Sequence, residues 1–318
     1  MNICPICSAA SEFKEFRGRP AEQCPNCSSL ERTRTVYLCL MMKGRLQQIG
    51  TASFDRSIHH FAPERSLYNE LSAHGKNGQY RCYDFSPEIY KFANGRIKRH
   101  DLCDRDANRD LAMADIILHN HVLEHLPTDF RHVLDDLNSR LAPGGIHVFT
   151  LPTKGGKYDE DLSPNLAPEE RKRRFAQEDH VRIFGREDAL EMIGEALGGN
   201  GSVFRLNHYL TPAMASVFGV RNSYDIDARG GVGGSTVFYY EKAAVGVEGA
   251  TFPHGQSAMT KAGLAELLIE LIDARLAETG GTGTSKRSSS EVARQTIDLL
   301  VDRIGSPDFY RNLEEAAE

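Results

Sequence analysis

The chain has no apolar run long enough to span a bilayer, no surplus of positive charge and no glycine-rich phosphate loop. A membrane span needs about 20 consecutive apolar residues, so a membrane-spanning role is not expected. The first stretch, MNICPICSAA, lacks a basic segment followed by an apolar core. No secretory signal is therefore expected, and a cytoplasmic location is. The net charge of −6 argues against a sequence-independent grip on nucleic acid, which needs a basic surface. Only a local basic patch would serve. The seven cysteines are an odd number in a chain without a signal, which does not suggest a disulfide framework. A length of 318 residues, with 40% hydrophobic and 26% charged residues, fits a folded chain with a polar tail or linker. It allows one large α/β domain with smaller additions.

Four cysteines form two C-x2-C turns, CPIC with Cys4 and Cys7, and CPNC with Cys24 and Cys27. Each turn can aim two thiolates at one point, and two turns complete a tetrahedral four-sulfur site. The intervening SAASEFKEFRGRPAEQ is too short and polar to fold alone, so a structural zinc, or iron in the same geometry, would supply much of its folding energy. A closed four-thiolate site has no open position for catalysis. Cys39, Cys82 and Cys103 read as small buried residues. The following SLERTRTVYLCLMMKGRL predicts a helix with Val36, Leu38, Leu40, Met41 and Leu46 on an apolar side. Residues 1–50 carry seven Lys and Arg against four Glu. That excess suits either a nucleic-acid contact or, as favoured here, the solvated surface of a metal-stapled cap.

From 55 to 242 strands and helices alternate. Strands are predicted at 57–63, 79–86, 95–104, 114–121 and 146–152. Helices fall between them, among them ERSLYNELSAHG and the segment bearing Phe130, Val133, Leu134 and Leu137. Such alternation predicts an α/β fold with a doubly wound, mostly parallel sheet, which binds ligands at the carboxyl ends of its strands. Those ends carry Asp84, Asp101 and the run His119, Asn120, His121. Asp84 stands where a carboxylate can accept both ribose hydroxyls. Asp101 and Leu102 suit an adenine, one accepting from its amine and the other covering its ring. Each acidic group also suits a plain solvated loop.

HNHVLEHLP, with His121, Glu124 and His125, matches the H-x-x-E-H pattern of some zinc peptidases. A peptidase would also need a third ligand and an open site, whereas the pattern lies where a parallel strand meets its helix. The division expected here is that Asn120 and His121 face a cofactor, that Glu124 and His125 are structural, and that metal binds only at the four cysteines.

The runs HFAPE, YDFSP, HDLCD, ADIILHNHVLEHLP, LAPGG and HVFTLP, with PEERKRRFAQEDHVRIFG beyond them, resemble the class I S-adenosylmethionine-dependent methyltransferases. They look like the branch with an N-terminal C-x2-C…CPxCxSLER zinc segment. The resemblance covers about residues 1–242. It implies a seven-stranded Rossmann-like sheet whose last strand is antiparallel, with 202–209 and 235–242 as strands six and seven after the helix REDALEMIGEAL. It also implies cofactor contacts at Phe61, Ala62, Pro63, Glu64, Asp84, Phe85, Asp101, Leu102, His119, Asn120 and His121. One departure is the first loop, HFAPERS, which has no glycine. Ala62 stands at the tightest contact and Pro63 fixes the turn. Without GxGxxG, dinucleotide binding is not expected.

Methyl transfer requires nucleophile, methyl carbon and sulfur in line, water excluded, and often a base for the acceptor proton. His121 or His180 is the candidate base, with Asp179 to orient His180; either histidine could instead only stabilise a loop. Arg182 could hold an acidic group. Tyr158, Asp159 and Asp161 could line the acceptor side, favouring polyhydroxyl or cationic acceptors. The segment 210–234 reads as a long loop over the substrate.

Residues 1–50 thus form a zinc segment and helix, 51–242 the main domain, 243–257 a linker and 258–318 a helical extension. In the extension Leu264, Leu267, Leu268, Leu271, Ile272 and Leu276 keep helical spacing, as do Val292, Ile297, Leu300 and Ile304. Two such stripes need a partner, which could be the main domain, each other or a second chain; a homodimer is slightly favoured. The expected function is methyl transfer to a small molecule or saccharide. The alternatives are a ribosomal RNA methyltransferase guided by the zinc segment, a zinc peptidase and a non-catalytic methyltransferase-like binding protein.

Overall fold

The computed structural model describes residues 2–46, 56–74, 79–199 and 201–244. The C-terminal helices expected over 258–318, and the linker from 245 on, lie outside the described residues. The elements run β1 (Asn2–Ile3), β2 (Ala10–Ser11), β3 (Lys14–Phe16), β4 (Arg19–Gln23), α1 (Glu31–Met42), β5 (Ile58–Phe61) and α2 (Arg65–His74). Then come β6 (Tyr80–Asp84), β7 (Ile97–Arg99), α3 (Arg105–Arg109), β8 (Ala114–Asn120), α4 (Phe130–Ser139) and β9 (Leu141–Thr150). A small lobe follows, with β10 (Thr153–Lys154), β11 (Asp159–Glu160), α5 (Pro168–Phe175) and β12 (Arg182–Gly185). The chain continues through α6 (Ala189–Ala196), β13 (Gly201–Phe204), α7 (Pro212–Val217), α8 (Arg221–Ala228) and β14 (Val237–Glu241).

Seven strands make the main sheet in the order β13-β14-β9-β8-β5-β6-β7. The five strands from β9 to β7 are mutually parallel, and β14 runs antiparallel to both its neighbours. The strands are apolar on both faces because both are covered. Ile58, Ile116, Leu118, Ile146 and Val148 pack on one side with α1 and α2. Ile117, Phe149 and Phe238 pack on the other with α4 and α6. Asp129 caps α4 by accepting from the Arg131 amide at 2.9 Å, and Asp104 caps α3 through the Asp106 and Ala107 amides.

Two elements differ from the sequence reading. The first is α1, which is buried nearly all round rather than along one side, Thr33, Arg34 and Thr35 included. The second is 210–234, which is two helices and not a covering loop. Leu210, Met214, Ala215, Phe218 and Val220 pack into the same core as Val36, Leu38 and Leu40 of α1. The helix is therefore sandwiched between the sheet and the pair α7 and α8. Gly219 makes the approach: its φ is +63°, and a Cβ there would meet the Phe13 ring at 2.4 Å. The Arg34 guanidinium joins the parts, donating to the carbonyls of Ser29, Glu22 and Gly219 and lying 4.5 Å from the Phe13 ring. The four-cysteine segment and the sheet thus share one core, since Cys4 and Cys24 cluster with Ile58 and Ile116.

Candidate functional site: the crevice between β5 and β8

The strand order turns between β5 and β8. From β5 the chain steps outward through β6 and β7, and from β8 the other way to β9. Open α/β sheets place ligands in the crevice at such a switch. Here both strands end in a left-handed residue that is not glycine, Ala62 at φ +47° and His121 at φ +52°. Each costs about 1–3 kcal/mol, and such strain collects at functional sites. The conformations are pinned by Ala62 N donating to the Tyr83 carbonyl at 2.9 Å and His121 N to the Thr150 carbonyl at 3.0 Å. Ala62 therefore takes the backbone conformation that glycine usually supplies.

Around the crevice Glu64 Oε2 accepts from Asn120 Nδ2 at 2.9 Å, while Arg32 Nε reaches Glu64 Oε1 at 3.4 Å. Burial alone would raise the Glu64 pKa, but His60 and Arg32 outweigh it and hold the carboxyl at about 2. Asp84 is fixed by the Ser86 amide at 2.7 Å on one oxygen and the Tyr90 hydroxyl at 2.6 Å on the other. A carboxylate has about four acceptor sites, so each oxygen keeps room for a further hydroxyl. Phe85 is 62% exposed beside it. Asp101 accepts from the Cys103 amide at 2.8 Å and stays partly exposed. Acceptors for a diol and for an amine, and an exposed ring to lie against, are therefore present, and the residues fit an adenosyl-type cofactor.

Three expected contacts lie elsewhere. Phe61 and Leu102 are buried in the α4-side core, so only their backbone is near the crevice. His119 is fully buried, stacked on Phe149 at 5.0 Å, with neither ring nitrogen hydrogen-bonded. Its ring sits in the core on the face opposite Leu118 and Asn120, its neighbours on the strand. Pro63 is also buried.

His121 Nε2 donates to the Gly234 carbonyl at 2.8 Å, which leaves Nδ1 as an acceptor. Burial, helped by the charge of Arg32, pushes its pKa down to about 3. His180 is buried, with Nδ1 against the Phe175 carbonyl at 3.0 Å, and burial lowers its pKa to about 4. Asp179 does not orient His180 as expected; it lies 3.3 Å from Nδ1 of His125. Glu124 is buried without a hydrogen bond to either oxygen, and burial raises its pKa to about 8.

The lobe after β9 holds the acceptor-side candidates. Asp159 and Asp161 are both paired with Arg174, at 2.6 and 2.8 Å. Tyr158 donates to Glu160 at 2.7 Å and packs on Phe130 and Phe184. Arg182 is fully buried; it pairs with Glu160 at 2.7 Å and donates to the carbonyls of Leu123 and Thr128. Its guanidinium is spent on holding the lobe against the turn after β8, which corrects the expectation that it grips an acidic ligand. Arg32 and the Gly234 carbonyl were not legible in the sequence, since they arrive from segments far from the strand ends.

The four N-terminal thiols gather as expected. Cys4 and Cys27 Sγ lie 3.6 Å apart, and Cys7 and Cys24 Sγ 3.8 Å. A zinc with Zn–S bonds of about 2.3 Å in a tetrahedron requires sulfurs about 3.8 Å apart, so the donor set fits. The two turns are built alike: Ser8 donates to the Cys4 carbonyl and Ser28 to that of Cys24, both at positive φ.

Residues 65–147 match a family model described as a methyltransferase domain. No curated protein matches the chain. Among solved structures the chain is similar to an O-methyltransferase family protein from Burkholderia thailandensis, with 14% identity and a TM-score of 0.37 over 68% of this chain and 59% of that one. It is also similar to the 1,6-didemethyltoxoflavin-N1-methyltransferase of the same organism, with 13% identity and a TM-score of 0.38 over 67% and 78%. A third is the N-methyltransferase NodS from Bradyrhizobium japonicum WM9, with 14% identity and a TM-score of 0.35 over 67% and 94%. The chain spans less than two thirds of the first of these proteins. No helix among the described residues is long and apolar enough to cross a membrane. The segment 65–147, which runs from α2 into β9 and contributes to the seven-stranded sheet, is thus similar to a methyltransferase domain.

Proposed function

We propose that the chain methylates a small-molecule or saccharide acceptor and that zinc at Cys4, Cys7, Cys24 and Cys27 fixes its N-terminal segment. The observation that carries this reading is the pair of strained residues at the switch point, Ala62 and His121, with Glu64, Asp84 and Asn120 gathered beside them. S-adenosylmethionine bound in that crevice would supply a methyl group on a cationic sulfur for in-line displacement. Asp84 would hold the hydroxyls of its ribose. Glu64 stays ionised and complements its positive charge. His121 Nδ1 would accept a hydrogen bond from the acceptor and orient it; its depressed basicity makes it a positioning group, and the acceptor's proton would pass to solvent.

Placement of the basic residues favours a small acceptor over RNA. Arg34 is buried, Arg32 turns to Glu64, and Lys43 and Arg45 pair with Glu241 at 3.2 and 2.7 Å. Four of the seven Lys and Arg in the first 50 residues are thus engaged internally, leaving Lys14, Arg17 and Arg19. Three charges on one short hairpin, with Arg19 paired to Glu22 at 3.4 Å, give a weak grip on a polyanion.

Incubation with methyl-labelled S-adenosylmethionine and cell extract fractions tests the reading. Label should enter the low-molecular-weight or saccharide fraction. Label confined to RNA, with a salt-dependent gel shift, would replace this reading by the RNA one.

A further inference from the structure

Glu124, His125 and His180 each offer one ligand atom, and the three atoms lie within 4.8 Å of one another. Two of these residues come from the turn after β8, spanning Leu123–His125, and the third from just before β12. The turn and the strand are locked together by Val181 N donating to the Glu124 carbonyl at 2.9 Å and by Arg182 donating to the Leu123 carbonyl.

The polar atoms aimed into this cluster lack partners. The Glu124 side chain is 1% exposed and neither oxygen is hydrogen-bonded. His180 is 1% exposed and its Nε2 has no partner. Buried polar groups are rarely left so, because each costs a desolvation penalty that nothing offsets.

The opposite nitrogen of each ring is held. His180 Nδ1 donates to the Phe175 carbonyl at 3.0 Å, which directs the lone pair of that ring to Nε2. His125 Nδ1 lies 3.3 Å from Asp179 Oδ2, which does the same for its Nε2, 3.8 Å from Glu124 Oε1. A carbonyl or carboxylate behind the far nitrogen is how metal-binding imidazoles are oriented.

We propose that Glu124, His125 and His180 form a divalent-cation site, separate from the four cysteines. Two imidazole nitrogens and one carboxylate suit a first-row divalent ion and leave coordination positions open. The partly exposed His125 gives the ion a way in. The cluster adjoins the crevice, since His121 Nδ1 lies 3.9 Å from the same Glu124 oxygen. This revises the expectation that metal binds only at the thiolates and that Glu124 and His125 are structural.

The test uses the full chain and Mn²⁺, which prefers oxygen and nitrogen donors to thiolates. Binding is followed by the loss of the free-ion paramagnetic resonance signal, without cofactor or acceptor, so the result stands apart from methyl transfer. One Mn²⁺ per chain should bind. H125Q, H180Q and E124Q should each weaken binding about tenfold or more, while C24S should not. Circular dichroism verifies folding, and H125Q, at the partly exposed position, decides the matter if the buried variants do not fold. No Mn²⁺ bound by the wild-type chain at millimolar ion, or wild-type affinity in H125Q, overturns the proposal.

Discussion

Asn120 donates to Glu64 at 2.9 Å, tying the end of β8 to the loop after β5 across the switch point of the sheet. Thr150 Oγ1 in turn donates to Asn120 Oδ1 at 3.0 Å, which fixes the amide's orientation from β9. Loss of this chain should loosen the crevice without unfolding the sheet. We expect Asn120→Ala to weaken S-adenosylmethionine binding about 10- to 100-fold, the worth of a hydrogen bond to a charged group at 1.5–3 kcal/mol. Titration calorimetry checks it. Unchanged affinity would mean that the network is structural only.

Asp84 keeps one acceptor site free on each oxygen, on the geometry set by Ser86 and Tyr90. Asp84→Asn replaces one of those oxygens by a donor. Cofactor affinity should fall about tenfold or more, with little change in melting temperature. Tyr90→Phe should weaken binding less, because the Ser86 amide still positions the carboxylate. Equal losses in the two variants would contradict the ribose assignment.

Acid should destabilise the fold early. His59 and His147 are buried, and burial lowers their pKa values to about 4 and about 3, from an ordinary 6.5. His119 is lowered by the same cause. Each folded value lies below the unfolded one, so these groups contribute stability above pH 6.5 that is lost as pH falls toward their folded values. The loss is about 1.4 kcal/mol per histidine one pH unit below 6.5. Urea midpoints measured from pH 8 down to pH 5 should therefore fall below about pH 6.5. His119→Phe should flatten that slope and remove two unpartnered nitrogens from the core. A midpoint independent of pH over this range would show the histidines to be hydrated.

The thiolate site should be needed for the whole domain, because Cys4 and Cys24 share a core with the sheet. Cobalt substituted at this site should give a sulfur-to-metal charge-transfer band, and Cys24→Ser should abolish or shift it. Loss of the metal should lower the melting temperature of the entire cooperative unit. A two-step melt with an unchanged upper transition would show the segment to be independent of the sheet.

The five parallel strands and their polar ends were legible in the sequence, because parallel strands are buried on both faces and their functional groups sit at the carboxyl ends, while the last two strands were legible only through the resemblance. The double burial of α1 was not. Its second cover, α7 and α8, lies some 180 residues downstream, and no local periodicity of Val36, Leu38 and Leu40 records a partner so distant. The same distance hid α7 itself. Its signal was Thr211 before Pro212, an N-cap followed by proline at the first turn, and Thr211 does accept from the Met214 amide at 3.2 Å. Arg182 misled in a different way. A strand arginine beside acidic residues reads as a ligand grip until its burial and its carbonyl partners are known. His180 and Glu124, some 55 residues apart in sequence, were brought together only by the docking of the lobe.

Calorimetric titration of the full chain with S-adenosylhomocysteine addresses the crevice itself, free of any unknown acceptor. Saturable binding of one equivalent, weakened by Asp84→Asn and Asn120→Ala, is the expected result. No heat and no competition with S-adenosylmethionine at millimolar ligand would contradict the assignment of this crevice as a cofactor site.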